Sequence, residues 1–141
     1  MMMKKLCSVL FLILMVGCST NPVALNNAKN VPLSQALKFQ SPKNGDTKLV
    51  VIRDSGITGS GCYAAIFVNG EKSALLNTSE KTTLYLPPGE YIIGVAFDGS
   101  GWCSMGKERQ EQSVVLKSDN EKVVRVYTDG NGNLDIKPTT L

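Results

Sequence analysis

From Thr47 onward the chain keeps a rhythm that leaves little room for any fold but a sheet: apolar runs of about five to eight residues recur, each closed by a turn-forming cluster. No window holds a capped amphipathic helix of useful length. Runs of that length and punctuation are strands. The spacing predicts strands at 47–53 (TKLVVIR), 62–69, 71–76, 81–86, 90–97, 111–117, 121–128 and 133–137. Asn69-Gly70 suits a type I′ hairpin, because both central residues of that turn need positive φ. Pro87-Pro88-Gly89 and Ser118-Asp119-Asn120 impose further turns, and the chain is expected to run as successive antiparallel neighbours.

Alternation then sorts the side chains. In 90–97, Tyr91, Ile93, Val95 and Phe97 share one face while Ile92, Gly94 and Ala96 share the other, so this strand is apolar on both faces and expected to be central. In 121–128, Val124 and Val126 oppose Arg125 and Tyr127, the pattern of a half-exposed strand. The expected fold is all-β, an antiparallel two-layer β-sandwich of about seven to eight short strands over residues 47–141. A small closed β-barrel is the alternative.

The start of the chain says where it works. Lys4 and Lys5 precede an apolar run, 6–16, that stops at Gly17-Cys18-Ser19. That run is too short to cross a hydrocarbon core, which takes about 20 helical residues, and it fits an export signal. The order resembles bacterial lipoprotein signals, although Met15 stands where they usually carry a branched aliphatic residue. The resemblance implies a signal peptide over 1–17, lipidation of Cys18 with palmitate-type chains, and outer-membrane delivery, since Ser19 is not Asp. The domain is then expected in the periplasm. Residues 18–46 read as a lipidated N-terminus and flexible tether, because Asn21, Asn26, Asn27, Asn30, Pro22, Pro32 and Pro42 break any period. A flexible segment of this length averages ~30 Å end to end. Leu33, Leu37 and Phe39 could form one helical turn or dock on the domain.

Removing Lys4 and Lys5 with the signal leaves thirteen basic residues against twelve acidic ones. No basic stripe remains for nucleic acid. The chain has no histidine, which removes Ser-His-Asp and Cys-His catalysis and the commonest metal ligand. Of four cysteines, Cys7 leaves with the signal and Cys18 takes the lipid. Cys62 and Cys103 remain as a disulfide pair in an oxidising compartment.

Val68-Asn69-Gly70-Glu71 and Leu84-Tyr85-Leu86-Pro87-Pro88-Gly89-Glu90-Tyr91 resemble the turn signature of PEGA-type sandwich domains. They are also similar to a group of small bacterial lipoproteins with the same hairpins. The resemblance covers roughly 47–128, implies fold and envelope location, and supplies no catalytic residues.

The remaining motifs have ordinary readings. Asp129-Gly130-Asn131-Gly132-Asn133-Leu134-Asp135 alternates oxygen-bearing side chains as a calcium loop does, but Leu134 and Thr140 stand where glycine and glutamate are needed, so a hairpin turn explains it. Gly56 to Gly61 is followed by a strand rather than the helix a phosphate cradle needs. Asp54 and Asp98 could serve as a carboxylate pair, yet acidic residues before glycine loops are usually turn formers. No metal, cofactor or nucleotide is expected. The two cysteines each follow a glycine-rich approach, which either lets two backbones come close or builds a recognition rim of Ser60, Trp102, Lys107 and Arg109 for an envelope protein or glycan. Trp102 could equally pack on the disulfide inside the core. The sequence thus points to a lipid-anchored envelope binding or assembly module without catalysis. The alternative is an inhibitor or exclusion factor acting on an envelope enzyme, pore or secretion component.

Overall fold

Among the residues described by the computed structural model, 20–105 and 108–141, nine strands form two sheets. They are β1 (Lys29–Asn30), β2 (Thr47–Arg53), β3 (Tyr63–Val68), β4 (Glu71–Leu76), β5 (Glu80–Leu86), β6 (Gly89–Asp98), β7 (Gln110–Leu116), β8 (Lys122–Thr128) and β9 (Leu134–Pro138). One sheet has the order β1-β5-β2-β8-β9 and the other β4-β3-β6-β7. They stack as a two-layer sandwich and do not close into a barrel. All eight strands read from the sequence are present, with ends displaced by no more than one residue. Asn69 and Gly70 adopt φ 47° and 82°, as the tight hairpin between β3 and β4 requires.

The expectation of antiparallel neighbours throughout is corrected. β2 pairs with β8 in parallel, and so does β1 with β5. The cause is that the connections after β2, β4, β5 and β7 each carry the chain to the opposite layer. A turn that crosses between layers uses the same Pro, Gly, Asn and Asp chemistry as one that reverses a strand, so the two look alike in sequence.

Leu49, Val51, Ile66, Leu84, Ile93, Val95, Val124 and Val126, all buried, fill the space between the layers. β6 is central, as expected, lying between β3 and β7. Its outer face is only partly covered: Ile92 is 41% exposed, and the stem of Arg109 lies against Gly94. The strand buried on both faces is β2. Leu49 and Val51 point into the main core, while Val50 and Ile52 pack under Val23, Leu25 and Ala28 from the N-terminal segment.

That segment is not the free tether expected of 18–46. Residues 20–46 form a strap bound along the sandwich. Asn21 bridges Ser55, and Lys29 and Val31 donate their backbone N–H groups to Ser79 and Lys81 on the edge of β5. After a 3-10 turn at Leu33–Gln35, Leu37 and Lys38 both donate to the Ser73 carbonyl on the edge of β4. The Gln35 amide donates to the Leu75 carbonyl and to Glu80. The carbonyl of Phe39, a residue at φ 58°, then accepts from Tyr85 of β5. The strap therefore covers the edges of both sheets on one side of the sandwich. Of the apolar residues expected to turn or dock, Phe39 packs against the core, while Leu33 and Leu37 remain exposed.

Candidate binding surface at the disulfide pole

Three connections meet at one end of the sandwich: 54–62 between β2 and β3, 99–109 between β6 and β7, and 129–133 between β8 and β9. Cys62 and Cys103 join the first two through a disulfide, with Cα atoms 5.3 Å apart. A cleft of about 220 Å³ opens beside it, lined by Thr58, Gly59, Phe97, Trp102, Met105 and Gly132 with the two cysteines. The third connection is the hairpin read from the sequence: Asp129 Oδ1 accepts from the backbone N–H groups of Asn131 and Asn133.

The base of this pole is rigid for a reason visible in Arg53. The residue is 2% exposed, and its guanidinium donates to three carbonyls, those of Cys62 at 2.6 Å, Leu76 at 2.8 Å and Gly59 at 2.7 Å. The side chain thus replaces the ladder that a loop lacks, since buried carbonyls need donors. Burial lowers its pKa to about 10, against the opposing effect of Glu80. Gly59 sits at φ 74°, and a Cβ there would meet the Phe97 ring at 2.6 Å, so the loop closes over Phe97 only with glycine at this position.

Asp54 and Asp98, the candidate carboxylate pair, each hold a cation of their own. Asp54, 1% exposed, accepts from Arg125 through both oxygens and from Thr20 at 3.1 Å. Asp98 accepts from Lys72 at 2.6 Å. That hydrogen bond draws the Asp98 pKa below the usual carboxylate range; partial burial opposes it, and the Gly99 N–H and the Lys72 charge assist it. Neither carboxylate lines the cleft.

Of the four residues expected to form a rim, the structure describes Ser60, Trp102 and Arg109, and it separates them. Trp102 lies in a 3-10 turn, Gly101–Ser104, and is 89% exposed, so it is a surface residue at the mouth of the cleft and not part of the core. Ser60 is exposed in the neighbouring loop but does not line the cleft. Arg109 turns away. Its guanidinium stacks 4.7 Å above the Phe67 ring and pairs with Glu111 at 2.8 Å, on the outer face of the β4-β3-β6-β7 sheet. Lys107 lies outside the described residues, as does Cys18.

Two apolar residues that sequence reasoning passed over complete the pole: Ile57, 92% exposed, and Met105, 70% exposed. The signal available was an isolated large apolar side chain inside a glycine-rich loop, where no strand period accounts for it. No cluster of three or more metal-ligating side chains occurs among the described residues. What the pole offers is a rigid, mostly apolar set of lips, suited to contact with another apolar surface. A larger groove of about 480 Å³ lies elsewhere, where the strap meets Tyr85 and Pro87; it is the seam between strap and sheet.

No protein-family model matches the chain, and no curated protein matches it.

Proposed function

We propose that this chain is a lipid-anchored, non-catalytic assembly module of the bacterial cell envelope, held in the outer membrane through Cys18 with its domain in the periplasm. The observation that carries the reading is the edge of β7. The Ile92 carbonyl and N–H both engage Asn69, beyond the end of β3; Ile93 therefore faces β7 and its partner Gln112. It follows that Glu111, Ser113 and Val115 turn their N–H and C=O groups outward. Among the described residues, nothing pairs with them.

The other edges are guarded. Strap backbone covers β4 and β5, and β9 is short and carries Lys137 and Pro138. β7 has seven residues, no proline and no lysine, and a Val115 that is 53% exposed. An open edge of this kind is a template for a strand from a partner. An envelope protein fits that edge better than a glycan does, since it supplies a complementary strand of N–H and C=O groups.

The test is Ser113→Pro. Its N–H points away from β6, so proline removes an outward donor without breaking the native ladder. Crosslinking from membranes should capture a partner with the unaltered chain and lose it with Ser113→Pro at an unchanged unfolding midpoint; equal capture refutes the edge. Cys18→Ser should release most of the chain from the membrane fraction, and a variant that stays equally bound refutes the anchor. The second reading, an inhibitor, is favoured by the exposed Trp102 loop. It requires capture to depend on Trp102 and not on Ser113.

A further inference from the structure

We infer that the disulfide pole is a lipid-contacting surface, with Ile57, Trp102 and Met105 set into the membrane interface beside the anchor. The inference rests on the proposed acylation of Cys18 and extends it to the orientation of the domain. Thr20 is fixed at this pole. Its hydroxyl donates to Asp54 and accepts from the Thr128 N–H, and a Cβ on Gly56 would lie 3.0 Å from the Thr20 methyl. Gly56 immediately precedes Ile57. Cys18 lies two steps along the chain from Thr20, with only Ser19 between them, a span of at most ~7 Å of extended chain. An acylated Cys18 therefore brings the bilayer surface to the loops of the disulfide pole, where a tether of residues 18–46 would have held the domain well clear of it.

What faces that surface is suited to it. Ile57, Trp102 and Met105 are the large apolar side chains exposed in these loops, at 92%, 89% and 70%. Trp prefers the headgroup boundary, where its ring is apolar and its N–H stays wet. At the base, Asp54 is matched by Arg125 and Asp98 by Lys72, and the side chains that project from the pole are Ile57, Trp102 and Met105, so the contact they offer is apolar in character. Arg53 holds the Gly59 and Cys62 carbonyls of the first loop, and the disulfide ties Cys103 of the second to it. With the domain seated on this pole, the Trp102 loop is occupied by lipid, which speaks against its use as an inhibitor plug.

Trp102 is the only tryptophan, so its fluorescence reports the pole directly. The acylated chain is reconstituted in vesicles of phosphatidylethanolamine and phosphatidylglycerol, with and without brominated acyl chains. Trp102 emission should be quenched by the brominated lipid, and iodide should quench it several-fold less than it quenches N-acetyltryptophanamide. In Ile57→Asp/Met105→Asp, both exposed positions, the lipid quenching should fall several-fold while the unfolding midpoint holds. Trp102 left unquenched by lipid and freely open to iodide overturns the inference. Undiminished quenching in the double variant does so too, since proximity to the anchor would then suffice. Photo-crosslinks from position 57 to a protein rather than to lipid likewise overturn it. The mass of the N-terminal peptide keeps the two ideas apart: an unacylated Cys18 refutes the anchor, whereas an acylated chain without quenching refutes the lipid contact alone.

Discussion

Asp54 and Arg125, 71 residues apart in sequence, clasp one another across the parallel seam of β2 and β8, and the same carboxylate receives the hydroxyl of Thr20. The pair joins three things that the fold must keep together: the end of β2, the middle of β8 and the first described residue of the strap. Breaking a buried pair by removing one partner costs about 3–5 kcal/mol, because the other charge is left stranded. Arg125→Met should therefore lower the free energy of unfolding by about that amount, as measured by denaturant titration. It should also speed proteolysis within 20–31, where the strap loses its hold. A variant with wild-type stability and an equally protected strap would show that the pair is incidental.

The clamp between Lys72 and Asp98 gives the pole a pH response whose direction is fixed. Asp98 has a lower pKa in the folded chain than in the unfolded chain, first because Lys72 donates to it. The unfolded chain thus binds the proton more readily, and the stabilisation is present above the unfolded carboxylate range and lost as pH falls through the folded pKa. Both side chains are partly exposed, so the contribution is small. Lys72→Met should flatten the acid limb of a plot of unfolding midpoint against pH and converge with the wild type once Asp98 is protonated in both. Parallel curves across the whole range would contradict this.

Reduction of the disulfide should loosen the pole without dissolving the sheets. The bridge joins the β2–β3 and β6–β7 connections across a sequence separation of 41 residues, and removing such a link typically costs about 2–5 kcal/mol. Arg53 goes on donating to the carbonyls of Gly59 and Cys62 whatever the state of the sulfurs. The reduced protein should keep its strand signal in the far ultraviolet and unfold at a lower midpoint. Native protein in which either thiol can be labelled would refute the bridge.

The strands were legible because their limits are set by local chemistry: the turn residues at 69–70, 87–89 and 118–120 act wherever the chain goes next. Layer changes were not, since nothing at Pro87 tells whether β6 will join β5 or the other sheet. The strap was misread for a related reason. It docks mainly through backbone N–H groups on exposed strand edges, which needs no apolar period, and its few buried side chains, Ala28 and Gln35, are scattered. Burial of β2 on both faces was written in the unbroken run Leu49-Val50-Val51-Ile52, a pattern that marks a strand covered on both sides. The disulfide partners and Trp102 could be named from sequence, but the direction of Arg109 could not. Its place over Phe67 and Gly94 depends on the register of β3 and β6, in which those two residues lie opposite each other.

That register separates two substitutions that the sequence treats alike. Trp102 is almost fully exposed, so Trp102→Ala should leave the unfolding free energy within about 0.5 kcal/mol of the wild type. Arg109→Ala removes the cation over Phe67 and the pair with Glu111, and should cost about 0.5–1 kcal/mol. The functional effects should divide the other way. Trp102→Ala acts at the pole and should weaken its apolar contact, read as lower retention on vesicles of the chain carrying Cys18→Ser. Arg109→Ala acts on the outer sheet face and should leave that retention unchanged. If Trp102→Ala proves the more destabilising of the two, the Trp supports the disulfide from within, and its exposure at the cleft mouth is no guide to its role.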